Sequence, residues 1–309
     1  MKRPVPARRQ PGLTPLSPIV NAMTVDVEDY FQVSAFDQVV DRADWDRLES
    51  RVEKNTHRLM DLLDEFDVRA TFFVLAWVAE RFPALVGEID ARGHEVASHG
   101  YGHRLVYDQT PEAFRTDVRR ARRILQDASG QAVVGFRAPS YSITARSLWA
   151  LDVLVEEGHE YDSSIFPIRH DRYGMPGEPR HRHVRRTRAG LLTELPPATV
   201  RVGSVNLPAS GGGYFRLLPY RWTRWSLARI NERERQPAVF YLHPWELDPG
   251  QPRLRTMGLN RFRHYRNLDR TDERLRRLFR EFRFGPMCDL IADLPVWLDE
   301  PSAVPHFVG

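Results

Sequence analysis

At 309 residues and 42% hydrophobic content, the chain is long enough to bury one large core. Its single cysteine excludes a disulfide framework, and it holds no run of ~18 apolar residues that could span a membrane. The 45 basic residues, nearly all arginine, stand among 41 acidic ones without a nucleic-acid-binding signature, so no nucleic acid partner is expected.

Met1 to Pro18 is Arg/Pro-rich and polar, without the apolar segment of a secretion signal. It reads as a disordered tail, with cytoplasmic residence as the default. The apolar run from Ile19 to Val27 predicts a strand that leads into three carboxylates, Asp26, Glu28 and Asp29. Alternate residues of a strand share a face, so Asp26 and Glu28 point the same way. Like charges at the end of a buried strand need a cation or a proton to offset them. A metal-binding carboxylate beside a second, catalytic one meets that need; the alternative is a strand running into a solvated acidic loop. Val52, Leu59, Leu62, Leu63 and Phe66 have helical spacing over 51–66, Thr71 to Leu75 is a buried strand, and Pro83 opens a further helix.

The next apolar run ends in His99-Gly100-Tyr101-Gly102-His103. Two imidazoles at this spacing can reach one metal from the same side of the backbone, and the glycines let the chain bend close to an ion or substrate. Pro111 opens an Arg-rich helix to Ala128. Ala132 to Val134 then leads into Phe136-Arg137-Ala138-Pro139-Ser140-Tyr141, where an arginine at a strand exit can hold a buried carboxylate. A helix over 147–157 precedes Tyr161-Asp162-Ser163-Ser164, whose aspartate could orient a distant imidazole. The span from Ile168 to Gly190 is a long polar insertion of the kind that shapes a site. Its Arg180 to Arg186 stretch reads as a solvated loop that could also meet an anionic glycan. Val239 to Leu242 is an apolar strand delivering His243 at its end. Beyond Trp245, Pro249, Gly250 and Pro252 mark a change of character. Asp272 to Phe284 follows as an amphipathic helix whose Leu275, Leu278, Phe279 and Phe282 face the rest of the fold. Cys288, beside Met287, is expected in the interior.

Repeated βα units with functional groups at strand exits imply an α/β fold, a parallel barrel whose C-terminal face holds the site. The ordered series T-V-D-V-E-D, S-H-G-Y-G-H, F-R-A-P-S-Y, Y-D-S-S and Y-L-H-P resembles the five motifs of the NodB-homology polysaccharide deacetylases, carbohydrate esterase family four. The matching segments run from about Ile19 to Trp245. The variant T-V-D-V-E-D-Y-F, with S-G-G-G-Y-F-R and a C-terminal extension, is similar to a narrower branch found in exosortase (PEP-CTERM) exopolysaccharide loci. The resemblance implies a distorted, incomplete (β/α) barrel of seven strands over 19–248, with a C-terminal helical extension over 249–309 packed on it.

Carried over residue by residue, the resemblance makes Asp26 the catalytic base, His99 and His103 metal ligands, and Arg137 the residue that steadies the base. Asp162 would tune the general acid, His243, and Pro139 and Tyr141 would bind substrate. The cofactor would be a divalent metal, Zn(2+) first and Co(2+), Ni(2+) or Mn(2+) next. Two departures stand out. The usual ligand aspartate directly follows the base, but here that place is Val27, so Glu28 or Asp29 must serve; Glu28 is preferred because it shares the strand face of Asp26. The aromatic that usually follows the proline is displaced by Ser140 to Tyr141, which loosens the placement of the oxyanion-binding amide. The implied activity is metal-dependent hydrolysis of N-acetyl groups on an amino-sugar glycan, an exopolysaccharide or its precursor, with no cysteine or serine nucleophile. Two other readings remain open: hydrolysis of a small cyclic amide or ureide, and a glycan-binding protein whose site has decayed.

Overall fold

The computed structural model describes residues 16–291, with 171 and 257 excepted. Eleven strands are seen among them: β1 (Val20–Val27), β2 (Thr71–Val74), β3 (Glu95–Ser98), β4 (Gly135–Phe136), β5 (Tyr161–Asp162), β6 (His183–Arg186), β7 (Leu191–Glu194), β8 (Thr199–Val202), β9 (Val205–Pro208), β10 (Val239–Leu242) and β11 (Arg283–Gly285). The main sheet runs β10-β1-β2-β3-β4-β5-β7-β6. Its pairings from β10 to β7 are all parallel, and β6 closes one edge antiparallel. β11 pairs with residues 20–22 of β1, beside the point where β2 begins at Thr24. β8 and β9 form a separate hairpin. Seven parallel strands in a row, clothed by helices, match the expected incomplete α/β barrel.

The helices are α1 (Val52–Glu65), α2 (Ala76–Arg81), α3 (Pro83–Ala91), α4 (Pro111–Ser129), α5 (Trp149–Glu156), α6 (Gly212–Leu217), α7 (Tyr220–Ala228), α8 (Gly258–Tyr265), α9 (Thr271–Glu281) and α10 (Cys288–Ile291). Their ends follow local chemistry. Thr110 accepts the Ala113 N–H ahead of Pro111 at the start of α4, and Gly130 ends it at φ 70°. Because helices cover the sheet, strands read as continuous apolar runs: all but the first residue of β1 are buried.

Four local expectations need correction. The insertion over 168–190 is not polar loop throughout, because its end forms β6, with Val184 buried against the sheet. The last predicted helix stops at Glu281; Phe282 is extended at φ −134°, which frees 283–285 to pair with β1. Cys288 is exposed rather than interior, since its neighbour Met287 takes the buried position while the Cys288 N–H donates to Glu95. Chain docking begins ahead of residue 18, as the Leu16 N–H donates to the Glu281 carbonyl (2.9 Å). The rest of the predicted tail, 1–15, and the end of the predicted extension, 292–309, lie outside the described residues.

Leu275 and Leu278 of α9 are fully buried, and Phe279 packs against Phe66 and Phe284 (ring centroids 5.7 Å in both pairs). Truncating a fully buried leucine costs roughly 2–5 kcal/mol. Leu278→Ala is therefore expected to lower the urea midpoint of the whole protein. An unchanged midpoint would show that α9 lies outside the cooperative unit.

Candidate functional site

The parallel sheet delivers the ends of β1, β3, β4 and β10 to one face. Among the described residues, Glu28, His99 and His103 form one group of metal-binding side chains, all buried, with donor atoms within 4.8 Å of one another. His99 follows β3, and its Nδ1 lies 2.8 Å from the Arg137 carbonyl. That bond places the proton on Nδ1 and leaves Nε2 with its lone pair. Burial holds the His99 imidazole down at about 4, so it is neutral near pH 7 and able to ligate. His103 sits in a left-handed backbone conformation (φ 53°), reached through Gly100 (φ 73°). Arg42 fastens that turn, donating to the carbonyls of Gly102 and His103 (2.9 Å each).

Glu28 is 2% exposed. Burial would raise its pKa, but His103, then His243 and His99, hold it at about 2. His103 Nε2 stands 2.9 Å from Glu28 Oε2, yet that oxygen and His103 Nδ1 are buried without an aligned hydrogen-bond partner. Two imidazoles and a carboxylate, converging with polar capacity unspent, suit a divalent metal ion.

Asp29, the alternative carboxylate, does not join this group. Its oxygens accept from the backbone N–H groups of Tyr30, Arg51 and Val52 and from the Ser50 hydroxyl, which spends it on capping α1. Desolvation raises its pKa.

Asp26 lies beside the triad. Its Oδ1 accepts from Arg137 Nη1 at 2.7 Å, and Arg137, fully buried, also donates to Thr24 Oγ1 and to both the carbonyl and the hydroxyl of Ser163. The guanidinium carbon is 4.2 Å from the Phe73 ring centroid. Across from Asp26 stands His243, with Nε2 3.9 Å from Asp26 Oδ2 and 3.6 Å from Glu28 Oε1.

Asp162, expected to tune this histidine, is turned elsewhere. It accepts from the Ser164 hydroxyl and N–H, and it shares the β5–β7 boundary with Glu194. Burial, with the Asp162 carboxylate beside it, pushes the Glu194 carboxyl well up. Through Ser164, whose hydroxyl accepts the Ala138 N–H (2.7 Å), Asp162 braces the loop over 138–141.

The carboxylate on His243 Nδ1 is instead Glu246, at 2.8 Å. Sequence reasoning missed it, together with its partner Arg216 and the turn clamp Arg42. A signal was available for the first: a glutamate three residues after a strand-ending histidine, with proline between, has capping-box spacing. Pro139 and Tyr141 are buried, with the Tyr141 ring centroid 5.7 Å from the Arg137 guanidinium carbon. The Tyr141 N–H donates to the Ala138 carbonyl, and its buried hydroxyl has no hydrogen-bond partner.

A polysaccharide deacetylase family model matches residues 35–155. The chain carries a polysaccharide deacetylase domain. A second model, a domain of unknown function (DUF3473), matches residues 163–292. The deacetylase match holds His99, His103 and Arg137, the second holds Arg216, His243 and Glu246, Asp162 falls between the two, and Asp26 and Glu28 precede both. The chain is 32% identical over 98 residues to a peptidoglycan-N-acetylglucosamine deacetylase of Bacillus cereus, covering 31% of this chain and 36% of that protein. It is 31% identical over 99 residues to a chitooligosaccharide deacetylase of a Bradyrhizobium species, covering 32% and 43%. The chain thus spans well under half the length of these curated relatives. A Mycobacterium smegmatis structure named as a polysaccharide deacetylase aligns over 94% of this chain and 99% of its own, with TM-score 0.59 and 22% identity. An allantoinase aligns over 92% and 91% with TM-score 0.56 and 14% identity. Both show the fold. No helix among the described residues is long and apolar enough to cross a membrane.

The geometry separates the acidic residues of β1 by experiment. His99→Ala, His103→Ala and Glu28→Gln should each lose bound zinc, read as metal per chain after dialysis. Asp29→Asn should keep zinc and lower the melting midpoint, since a helix cap is worth about 0.5–2 kcal/mol. Zinc lost from Asp29→Asn and kept by Glu28→Gln would reverse the assignment.

Proposed function

We propose that this chain hydrolyses N-acetyl groups of an amino-sugar glycan, an exopolysaccharide or its precursor, yielding acetate and a free amine, with zinc as the metal. The observation that carries this reading is the placement of Asp26 and His243 beside one buried Glu-His-His triad. The relatives in Bacillus cereus and Bradyrhizobium, named as a peptidoglycan-N-acetylglucosamine deacetylase and a chitooligosaccharide deacetylase, support the same reaction class.

Glu28, His99 and His103 would hold the metal, which supplies Lewis acidity toward the acetyl carbonyl when bound. The chain's own groups do the proton work. Asp26, oriented through Oδ1 by Arg137, presents Oδ2 to take a proton from the attacking water. The collapsing tetrahedral centre must expel an amine, a poor leaving group unless protonated. His243 Nε2, on the opposite side, gives it that proton. Pro139 and Tyr141, both buried next to Arg137, would back the wall for the sugar.

Burial would lower the His243 pKa, but the bond to Glu246 and the nearby Glu28 and Asp26 carboxylates lift it to about 9. The imidazole is therefore protonated, and competent as an acid, below that value and loses its proton above it. A bound cation offsets the Glu28 charge and moves this limb to lower pH. Acetate release from a chitooligosaccharide should accordingly decline on the alkaline side at or below pH 9. Undiminished turnover at pH 10 would assign the proton donor elsewhere. Asp26→Asn should retain zinc while turnover falls by roughly 10²–10⁴. A zinc-loaded wild-type protein that releases no acetate from any N-acetylated glycan tested would overturn the proposal itself.

A further inference from the structure

His243 is held from two sides by residues that the five motifs do not contain. On its edge, Glu246 Oε1 accepts from Nδ1 (2.8 Å) and also from the His243 backbone N–H (3.0 Å), so one carboxylate oxygen fixes both the ring and its own strand end. The other oxygen, Oε2, accepts from Arg216 Nε. Arg216 is 1% exposed, and its Nη1 donates to the carbonyls of His264 and Arg266 (2.8 Å each), at and just past the end of α8. On its face, His243 stacks on Trp245 (5.0 Å, 21°), which stacks on His264 (4.3 Å, 17°). The His264 ring is pinned by Gln251 (2.7 Å). Both routes end on α8.

Resting on the reading of His243 as proton donor, we infer that Glu246 and Arg216 are positioning residues for it. The region matched only as a domain of unknown function thereby supplies the general acid together with the scaffold that aims it. Burying an arginine and a glutamate costs several kcal/mol of desolvation that a hydrophobic pair of the same volume avoids. The pair instead holds two carbonyls and an imidazole at fixed angles, which apolar side chains cannot do. Glu246 also occupies the place that Asp162 was expected to fill; a second carboxylate is required at Nδ1 because Asp162 is committed to Ser164 and Glu194.

The test uses the zinc-loaded full chain and a chitooligosaccharide. Glu246→Gln, nearly isosteric, should lower kcat by on the order of 10- to 100-fold, the size typical of carboxylates that orient a working histidine, with KM little changed. In a His243→Ala background the same substitution should cost nothing more, because Glu246 acts only through that ring. A merely structural role would reduce activity by a similar factor in both backgrounds, and that result overturns the inference, as does an unchanged kcat in Glu246→Gln.

An activity-independent signal guards against failure of the underlying reaction. The Nδ1 proton of His243, buried against a carboxylate, should appear far downfield in the proton NMR spectrum and vanish in His243→Ala. It should be lost or shifted in both Glu246→Gln and Arg216→Lys. A resonance unmoved by Arg216→Lys would remove Arg216 from the assembly, even if wild-type protein proved inactive on every glycan.

Discussion

A buried carboxylate must be answered by a cation or by hydrogen-bond donors, and the C-terminal face of this sheet is arranged around that demand. Asp26, Glu28 and Glu246 are each 3% exposed or less. Arg137 answers the first, Arg216 the third, and two histidines converge on the second. None of these partners comes from the same segment as its carboxylate, so the ion pairs also tie β1, the loops after β3 and β4, α6 and the turn after β10 into one body. Losing one partner of such a pair is far more costly than losing both, because it strands a desolvated charge. The site and the stability of the fold are therefore supported by the same contacts.

The division of labour among the three acids at the end of β1 follows from the way the chain leaves the strand. Asp26 lies in β1 and Glu28 just past it, after a turn in which the Glu28 N–H donates to the Asp26 carbonyl, and both approach His243 Nε2, whereas Asp29 meets the open N-terminus of α1. Val27, where the family's ligand usually stands, points into the core and is fully buried. A carboxylate one residue onward comes beside His99 and His103, so a departure that looks damaging as a string still leaves a Glu-His-His group that could hold a metal.

Much of this was legible in the sequence because parallel strands announce themselves as apolar runs that stop at polar groups. His99, His103, Arg137 and His243 all sit at such stops, and the structure brings them together. Glu246 had capping-box spacing as its one local signal, whereas Arg216 meets carbonyls of 264 and 266 that only the folded chain brings near. The role expected for Asp162 failed for a related reason. Its local motif is intact, but whether it faces a histidine or Glu194 depends on β7, a strand no local signal placed beside it. Likewise, the helical pattern of α9 extended through Phe282, and only pairing with β1 ended it.

The position of β1 in the sheet has a kinetic corollary. Its neighbours are β2 on one side and β10 on the other, and the Asn21 side chain accepts from the Ala238 N–H, 217 residues away along the chain. During synthesis one edge of β1 stays unpaired until the 217 residues that separate Asn21 from Ala238 have been made. Contacts so distant in sequence are slow to form, and an apolar strand with an open edge is prone to pair with other chains meanwhile. The same connection that carries Asp26 and Glu28 into the centre of the sheet thus makes nascent chains of this protein the state most exposed to aggregation, and the arrival of β10 and β11 the step that ends that exposure.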